Sequence, residues 1–410
     1  MNPGMDEKDW HYLIGMEVHG PVSLNDISSL IAAGTVASDV MIASRESPRL
    51  RPAGEVLKEA RSGSVVPPPL PQSSPAQRSL FDRIGEGLNS MADTEKLEGF
   101  SLQEMFSETF SRRSAMEMEE YFIVGTERTT PKITEVQTGW PKPWLFMRFL
   151  LFFFVLYAGF VTIYQYSGNV NLVPGLIILG ASAMPLATLI LFFELNTPRN
   201  VSIYRLAILV GLGGLTSLAV SLIGYDIGHL SWLGASSAGI IEELGKLIAL
   251  VLIVRGARYK YILNGMLFGA AVGAGFACFE TAGYAYREAP YGAQRMLSVI
   301  WERGMLAPFM HVAWTAMVGA ALWRVKGGER LSLRHFLNPR FYRVLFFAMI
   351  LHMLWNFHRF DLQFNLKEIA LGVAAWFVIW GLVQQGLRQV RDEQRAFLTA
   401  ERPLSAPQSS

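Results

Sequence analysis

The sequence contains a single cysteine, Cys278, among its 410 residues. An intrachain disulfide and a cysteine-rich zinc site are therefore excluded. The net charge is only +2, and no basic stripe interleaved with aromatic residues is present, so a nucleic-acid-binding protein is not indicated. Residues 1–52 are polar and turn-rich, without the apolar core of a signal peptide. We expect membrane insertion to begin at the first spanning helix.

Apolar residues are abundant but unevenly distributed along the chain. They make up 51% of it, the mean hydropathy is +0.27, and nearly all the long apolar runs lie after Trp144. Eight runs have about the length of a membrane-spanning helix. They cover residues 144–166, 171–193, 203–223, 232–254, 260–284, 303–323, 341–358 and 366–387. The predicted fold class is mainly α: a polytopic α-helical membrane bundle of about eight spans, preceded by a small α+β domain.

The basic residues of the connections predict the orientation of these spans. Six arginine and lysine residues lie between residues 324 and 343, and more follow Leu387, whereas the loop 167–171 has no charge. By the positive-inside rule, both termini are predicted to be cytoplasmic. Arg287, Arg295 and Arg303, in the connection between the fifth and sixth spans, count against this orientation.

Composition divides the chain into four predicted parts. These are a soluble domain (1–60), a proline- and serine-rich linker with a juxtamembrane segment (61–139), the membrane domain (140–390) and a tail (391–410). The linker includes residues 67–71, which are biased to the polyproline II conformation. In the juxtamembrane segment, Leu102–Phe110 has an apolar helical face, which we expect to lie either on the membrane or on the bundle.

The soluble domain shows a strand at residues 10–14, a turn at Gly20–Pro21, a helix that starts after the N-cap Ser23, and a second strand at 39–43. It resembles the GYF-like domains at the amino end of many bacterial membrane proteins. The matching residues are Trp10, Tyr12, Gly20 to Leu24, Leu30 to Gly34 and Asp39 to Ile42. The resemblance implies a proline-rich or extended peptide as partner, and the linker contains such a segment. A small packing domain without a ligand is the alternative.

The predicted fourth span carries charged residues at its centre. Glu242, Glu243 and Lys246 interrupt a run whose flanks are apolar. Each such group costs roughly 2.5–3.5 kcal/mol at the middle of a spanning helix. Their spacing places the three side chains on or near one helix face. That face is predicted to line a polar site inside the bundle, and a buried ion cluster that only fixes helix register is the alternative.

The next three spans bring polar residues that apolar packing does not require. They are Glu280 and Tyr284 in the fifth span, His311 in the sixth, and His352 and Asn356 in the seventh. With a rise of about 1.5 Å per residue, Glu242, Glu243 and His311 lie roughly 12–15 Å below the outer ends of their spans. Glu280 and His352 come out at roughly 6–9 Å. We therefore expect one water-accessible cavity in the outer half of the membrane.

Four glycines of the predicted fifth span recur at helical spacing. They are Gly265, Gly269, Gly273 and Gly275. Because glycine has no side chain, such a face predicts that this span approaches its neighbours closely.

The order Glu242-Glu243-x-x-Lys246, Phe279-Glu280-x-x-x-Tyr284, His311 and His352 resembles the PrsW family of intramembrane proteases, which is related to the CAAX prenyl endopeptidases. The similarity covers about residues 140–390, and the run from Asn196 to Arg199 also fits the family. The resemblance implies hydrolysis of peptide bonds within or beside the membrane, with the double glutamate and the histidines as the site. It also implies a membrane-anchored protein substrate and a bacterial cell membrane as the location.

Hydrolysis of a peptide bond requires a water molecule, a base and donors to the oxyanion. The predicted catalytic residues are Glu242, Glu243, His311 and His352, and the predicted supporting residues are Lys246, Glu280, Tyr284 and Asn356. One of the two adjacent glutamates can be ionised as a base while the other holds a proton. We assign Glu243 as the acid/base partner of His352, and Glu242 with His311 to orient the water. Lys246 neutralises the cluster, and Tyr284 or Asn356 donates to the oxyanion.

A metal-dependent mechanism uses the same residues. Two histidines and a glutamate suffice as zinc ligands, and the predicted set is Glu243, His311 and His352. The His-Glu-x-x-His helix of zinc proteases is absent and no cysteine contributes, which favours glutamate catalysis without a metal. The predicted cofactor is therefore none or zinc, and both remain open.

Two other classes of function could use the same cluster. A transporter or proton-coupled carrier could employ intramembrane Glu, His and Lys as a relay. The sequence shows no inverted repeat, and the ionisable residues are confined to the fourth to seventh spans. A non-enzymatic binding protein would not require two histidines and two carboxylates at one depth.

Overall fold

The computed structural model divides the chain into two compact units, residues 1–78 and 79–410. The described residues are 10–14, 17–44, 51–61, 80–95, 97, 99–357 and 365–400. The predicted proline-rich segment 67–71 and the tail after residue 400 lie outside them.

The N-terminal unit contains an antiparallel sheet and two helices. The strands are β1 (Trp10–Ile14), β2 (Glu17–Val22), β3 (Met41–Ser44) and β4 (Arg51–Pro52), in the order β2-β1-β3-β4. The helices are α1 (Leu24–Ala32) and α2 (Ala53–Arg61). Ser23 caps α1 as predicted: its hydroxyl accepts the Asp26 N–H, and the Asp26 carboxylate accepts the Ser23 N–H. Ile27 and Ile42 are buried in the core of this unit.

The predicted turn at Gly20–Pro21 is wrong, because both residues lie inside β2. The register of the β1–β2 pair shifts between Trp10 and Tyr12, and Gly20 has φ 137°. A Cβ atom at this position would lie 2.7 Å from the Trp10 carbonyl oxygen. The glycine therefore marks an irregularity within the strand and not its end.

Three short helices precede the first apolar helix of the second unit. They are α3 (Leu80–Met91), α4 (Leu102–Met105) and α5 (Ala115–Ile123). The ring centroid of Phe100 lies 4.7 Å from that of Trp140 and 5.1 Å from that of Trp380. Glu95 forms an ion pair with Arg388 at 2.9 Å. This part of the juxtamembrane segment therefore packs on the helical bundle.

The rest of the second unit is a bundle of α-helices. They are α6 (Leu145–Ser167), α7 (Val173–Leu195), α8 (Ile203–Ile208), α9 (Gly214–Ile227), α10 (Ala238–Ile253), α11 (Ile262–Glu288), α12 (Ala293–Leu306), α13 (His311–Lys326), α14 (Leu333–Phe336), α15 (Pro339–Trp355) and α16 (Leu366–Ala400). A π-helical turn, Leu209–Gly213, joins α8 to α9. The core is centred on α11, most of which is buried.

Six helical stretches of the described residues are long and apolar enough to cross a membrane. They are α6, α7, α11 and α16, and the joined pairs α8–α9 and α12–α13. The predicted spans 232–254 and 341–358 correspond to α10 and α15, which have only 16 and 17 residues; residue 358 lies outside the described residues. The mainly α-helical membrane fold is confirmed, and the chain is an integral membrane protein. The number of eight spans stays a prediction.

The sixth predicted span, residues 303–323, is not one continuous helix. Helix α12 begins within the predicted fifth connection, and a 3-10 turn, Ala307–Phe309, separates it from α13. Pro308 explains the break because proline has no N–H to donate and its ring obstructs a continuing helix. Met310 then has φ −115° and ψ −131°, outside the helical region. As a result, His311 is the first residue of α13 instead of an interior one.

The glycine face of the fifth predicted span brings α11 against α13. A Cβ atom at Gly269 would lie 2.0 Å from the Thr315 carbonyl oxygen, and one at Gly273 would lie 2.4 Å from that of His311. Gly275 instead faces the turn between α8 and α9, where a Cβ atom would lie 2.1 Å from the Val210 carbonyl oxygen. The predicted close packing of this helix is therefore observed on two sides.

We predict that Gly269→Ala lowers the stability of the protein by about 1–3 kcal/mol, because the new methyl group overpacks the contact between α11 and α13. Gly283→Ala is the matched control, since it lies on the same helix with no atom within 4 Å of its Cβ position. It should leave stability unchanged or raise it, because alanine favours helix more than glycine does. The measurement is thermal unfolding of the full chain in detergent. Equal unfolding temperatures for the two variants would contradict the close approach.

Candidate functional site

The predicted site residues meet at one end of the bundle. Glu242 and Glu243 lie near the start of α10, and His311 begins α13. Glu280 and His352 lie near the C-terminal ends of α11 and α15. Two helix starts and two helix ends therefore lie at the same level, as the alternating direction of the helices requires.

Glu243 is the most enclosed carboxylate of the cluster, with 1% of its surface exposed. Lys246, one turn further along α10, donates to Glu243 Oε1 at 2.5 Å. His352 Nδ1 lies 2.8 Å from the same oxygen. Because an ionised carboxylate only accepts hydrogen bonds, the Nδ1 atom of His352 carries the proton of this contact. The predicted pairing of Glu243 with His352 is present in the structure.

The Lys246 ammonium group also reaches His311, whose Nδ1 lies 2.9 Å from Nζ. An ammonium group only donates, so His311 accepts at Nδ1 and carries its proton at Nε2. That Nε2 lies 3.0 Å from Glu280 Oε2, which also accepts from Arg303 on α12. A continuous set of hydrogen bonds therefore runs from α10 through α13 and α11 to α12.

Glu242 leaves one oxygen unmatched. Tyr225, on α9, donates to Oε1 at 2.8 Å. Among the described residues, Oε2 is buried without a hydrogen-bond partner, 3.7 Å from His352 Nε2. Because His352 carries its proton at Nδ1, this Nε2 offers a lone pair. Two acceptors thus face each other, an arrangement that calls for a proton, a water molecule or a metal ion between them.

Glu242, His311 and His352 form a group that suits a metal ion. Each offers one ligand atom, and the three atoms lie within 4.8 Å of one another. The predicted metal set contained Glu243 in place of Glu242. In the structure, Glu243 lies behind His352 and bonds to its Nδ1, the position from which a carboxylate orients a metal-binding histidine.

A cavity of about 600 Å³ opens onto this cluster. The predicted supporting residues Tyr284 and Asn356 lie on its wall, with Glu280. Glu243 and Lys246 are not among its lining residues, which include Glu242, His311 and His352. Water or a substrate in the cavity would therefore contact Glu242, His311 and His352 directly. It would reach Glu243 and Lys246 only through these three side chains.

Sequence reasoning missed three residues of the site. Tyr225, which bonds Glu242, lies at the end of a helix that was expected to stop before it. Arg303, which bonds Glu280, was counted as a loop charge. Trp314, which the sequence does not single out as a site residue, stacks its ring on that of His352 with centroids 4.5 Å apart. Treating the polar residues at the predicted helix ends as site candidates would have identified Tyr225 and Arg303.

Comparison with known proteins gives one match. The profile of a family described as PrsW family intramembrane metalloprotease matches residues 171–383, which is just over half of the chain. The matched region contains every predicted site residue. No curated protein and no solved structure matches the chain.

We predict that Lys246→Met destabilises the protein by about 3–5 kcal/mol, because Glu243 would remain as a buried carboxylate without its cation. The double variant Lys246→Met/Glu243→Gln should recover most of this loss. Lys326→Met is the control, since the hydrogen bonds of this second buried lysine, within the described residues, go to the carbonyl oxygens of Tyr259 and Gly327 and not to a buried carboxylate. Its loss should be about 1–3 kcal/mol. A double variant as unstable as Lys246→Met alone, in unfolding measurements in detergent, would contradict the pairing.

Proposed function

Because the chain belongs to the PrsW family of intramembrane metalloproteases, we propose that it cleaves membrane-anchored proteins with a site built from Glu242, Glu243, His311 and His352. Family membership makes the chain an intramembrane peptidase, and the proposal concerns its residues and its substrates. The observation that carries it is the unmatched pair Glu242 Oε2 and His352 Nε2 at the wall of the cavity. The carrier alternative is not favoured, since the family match indicates an enzyme.

We assign proton transfer to His352. In hydrolysis, the water oxygen bonds to the carbonyl carbon, its proton passes to the lone pair at Nε2, and the same proton reaches the amine as the C–N bond breaks. Glu243 holds the Nδ1–H tautomer and stabilises the imidazolium that forms, the role that a carboxylate has behind a catalytic histidine. Glu242 orients the water from the opposite side with its free oxygen. We assign Tyr284 and Asn356, which lie on the cavity wall, as the hydrogen-bond donors to the oxyanion.

The site also fits a divalent metal ion of the zinc type. Two histidines and one glutamate are an established ligand set for catalytic zinc, and Glu242 Oε2 has no other partner in the described part of the chain. Glu242, His311 and His352 would hold the ion, with the hydrogen bonds of His311 to Glu280 and Lys246 rearranged to free one nitrogen. When bound, zinc supplies a Lewis acid and lowers the pKa of a bound water. Glu243 would then fix the ring of His352 from behind.

We predict that Glu242→Gln and His352→Asn each reduce cleavage of a co-expressed single-span membrane protein by about 10²–10⁴-fold, because each removes one of the two facing acceptors. His335→Asn is the matched control: this buried histidine bonds to Ser332 and Glu329 and does not line the cavity. It should leave cleavage unchanged. The readout is the initial rate of fragment release, normalised to folded protein. Undiminished cleavage by both site variants would remove the proposed mechanism.

Zinc removal separates the metal-free form of the proposal from the metal-dependent one. If zinc takes part, chelation should abolish cleavage, zinc should restore it, and Glu242→Gln should fail to retain the metal. Glu243→Gln should then weaken zinc binding by about 10–100-fold, through the lost support of His352. Activity that survives chelation, with no zinc found by elemental analysis, would leave His352 with Glu243 as the complete acid/base machinery.

We further propose that α10 and α15 also cross the membrane, which gives eight spans with both termini in the cytoplasm. The buried Glu243 and His352 support this because they place both helices inside the bundle. The basic residues between α13 and α15, among them Arg330 and Arg334, support the orientation. Labelling of single cysteines introduced at these two arginines from each side of the membrane would test it.

We also propose that the N-terminal unit is a GYF-like peptide-binding domain. The stacked rings of Tyr12 and His19, with centroids 5.3 Å apart, support a role in contacting an extended peptide. Residues 67–71 provide a proline-rich candidate within the same chain. Their deletion should shift the NMR signals of Trp10 and Tyr12, and unchanged signals would argue for a packing domain.

A further inference from the structure

A second cavity, of about 520 Å³, lies at the other end of the bundle, where α6 begins and α7 ends. Its aromatic walls are Tyr121, Trp140 and Trp144. The loop after α7 is tied to the start of α11, because Asn264 donates to Asn196 Oδ1 at 2.9 Å. Asn264 and Glu280 are about 24 Å apart along α11 at a rise of about 1.5 Å per residue. This cavity is therefore separate from the peptidase site.

The acidic residues that line the cavity already have donors. Glu194 accepts three backbone N–H groups from the first turn of α6, at 2.7, 2.8 and 2.9 Å. Glu108 accepts from the Ser111 hydroxyl and the Arg113 guanidinium group. Glu135 accepts a backbone N–H at 3.1 Å. Each of these carboxylates therefore accepts hydrogen bonds from within the protein.

Arg199 interacts electrostatically with Glu194 and with Tyr121, but it forms no ion pair at contact distance with any described residue. Within the described side chains, no carboxylate lies within ion-pair distance of its guanidinium group, which sits over the ring of Tyr121 at 3.9 Å. Its backbone has φ 47°, a left-handed conformation that is unfavourable for residues other than glycine. Thr197, two residues earlier, also lines the cavity, and its buried hydroxyl has no hydrogen-bond partner in the described part of the protein. Both groups, the guanidinium of Arg199 and the hydroxyl of Thr197, can donate to an anion.

We propose that this cavity binds the phosphate group of a larger ligand, with Arg199 as its main contact and Thr197 beside it. A guanidinium group suits the paired oxygens of a phosphate, and aromatic walls suit the part of the ligand that carries it. The cavity is larger than a single ion requires, and it lies where the apolar helix α6 begins. Trp140 and Trp144 are of the type that marks the membrane interface, the level of phospholipid headgroups. The phosphate comes either from such a headgroup or from a soluble phosphate compound. The proposal does not depend on the peptidase function.

The test is a titration of the full chain in lipid-free detergent with three probes: short-chain phosphatidylglycerol, short-chain phosphatidylcholine and inorganic phosphate. We expect phosphatidylglycerol to bind, and Arg199→Gly to weaken binding by at least about ten-fold. Thr197→Val should weaken it to a smaller extent. Arg128→Ala, which removes an exposed arginine outside the cavity, is the matched control and should bind as the unchanged protein does.

Folding of the variants is followed by thermal unfolding without ligand. Glycine is favoured at a left-handed position, so Arg199→Gly should unfold at an equal or higher temperature than the unchanged protein. If Arg199→Gly does not fold, ligand binding by Thr197→Val is compared with that of the unchanged protein instead. If inorganic phosphate is the only probe that binds, and Arg199→Gly abolishes its binding, the result would support the site with a soluble phosphate compound as the ligand. Equal binding of all three probes by the unchanged protein and both cavity variants, or no binding at all, would overturn the proposal.

Discussion

The structure depends on the pairing of Glu243, a carboxylate with almost no solvent access inside a membrane bundle. Such a charge is strongly unfavourable unless cations and donors surround it. Lys246 and His352 supply them, and each bond recruits a further helix: Lys246 reaches His311 on α13, which in turn reaches Glu280 on α11. The hydrogen bonds to one oxygen of this carboxylate therefore connect the four helices that carry the cluster, whereas its other oxygen, Oε2, is buried without a hydrogen-bond partner among the described residues.

The same network creates the proposed reactive position. Its hydrogen bonds assign the Nδ1–H tautomer to His352, so that Nε2 turns a lone pair toward Glu242. Tyr225 occupies the other oxygen of Glu242, and Oε2 stays buried without a hydrogen-bond partner among the described residues, on a side chain that lines the cavity. A fully satisfied cluster would merely hold the helices together. The proposed chemistry takes place at two acceptors that lie 3.7 Å apart, Glu242 Oε2 and His352 Nε2, at the wall of the cavity.

The residues of the cluster could be predicted from the sequence because a charged group within a membrane-spanning run has a high free-energy cost and therefore indicates a buried polar site. Sequence reasoning also found the close packing of α11 on α13, since glycine spacing reports it directly. It assigned Glu243 to His352 but placed Glu243 instead of Glu242 in the metal-binding group, because adjacent residues on a helix differ by a rotation of about 100° that only the neighbouring helices can fix. The break before His311 depends on Pro308, which the hydropathy of the run conceals. The roles of Tyr225 and Arg303 required tertiary contacts that no spacing rule encodes.

The tautomer of His352 tests the account most directly. Solid-state ¹⁵N NMR of the histidine-labelled protein, which has seven histidines, would identify its signals by comparison with the His352→Asn variant. The account predicts a protonated Nδ1 and an unprotonated Nε2, with Nε2 shifted further on zinc binding if a metal is held there. It also predicts the opposite tautomer, with a protonated Nε2, for His311. A His352 ring that carries its proton at Nε2, with a bare Nδ1 facing Glu243, would contradict it.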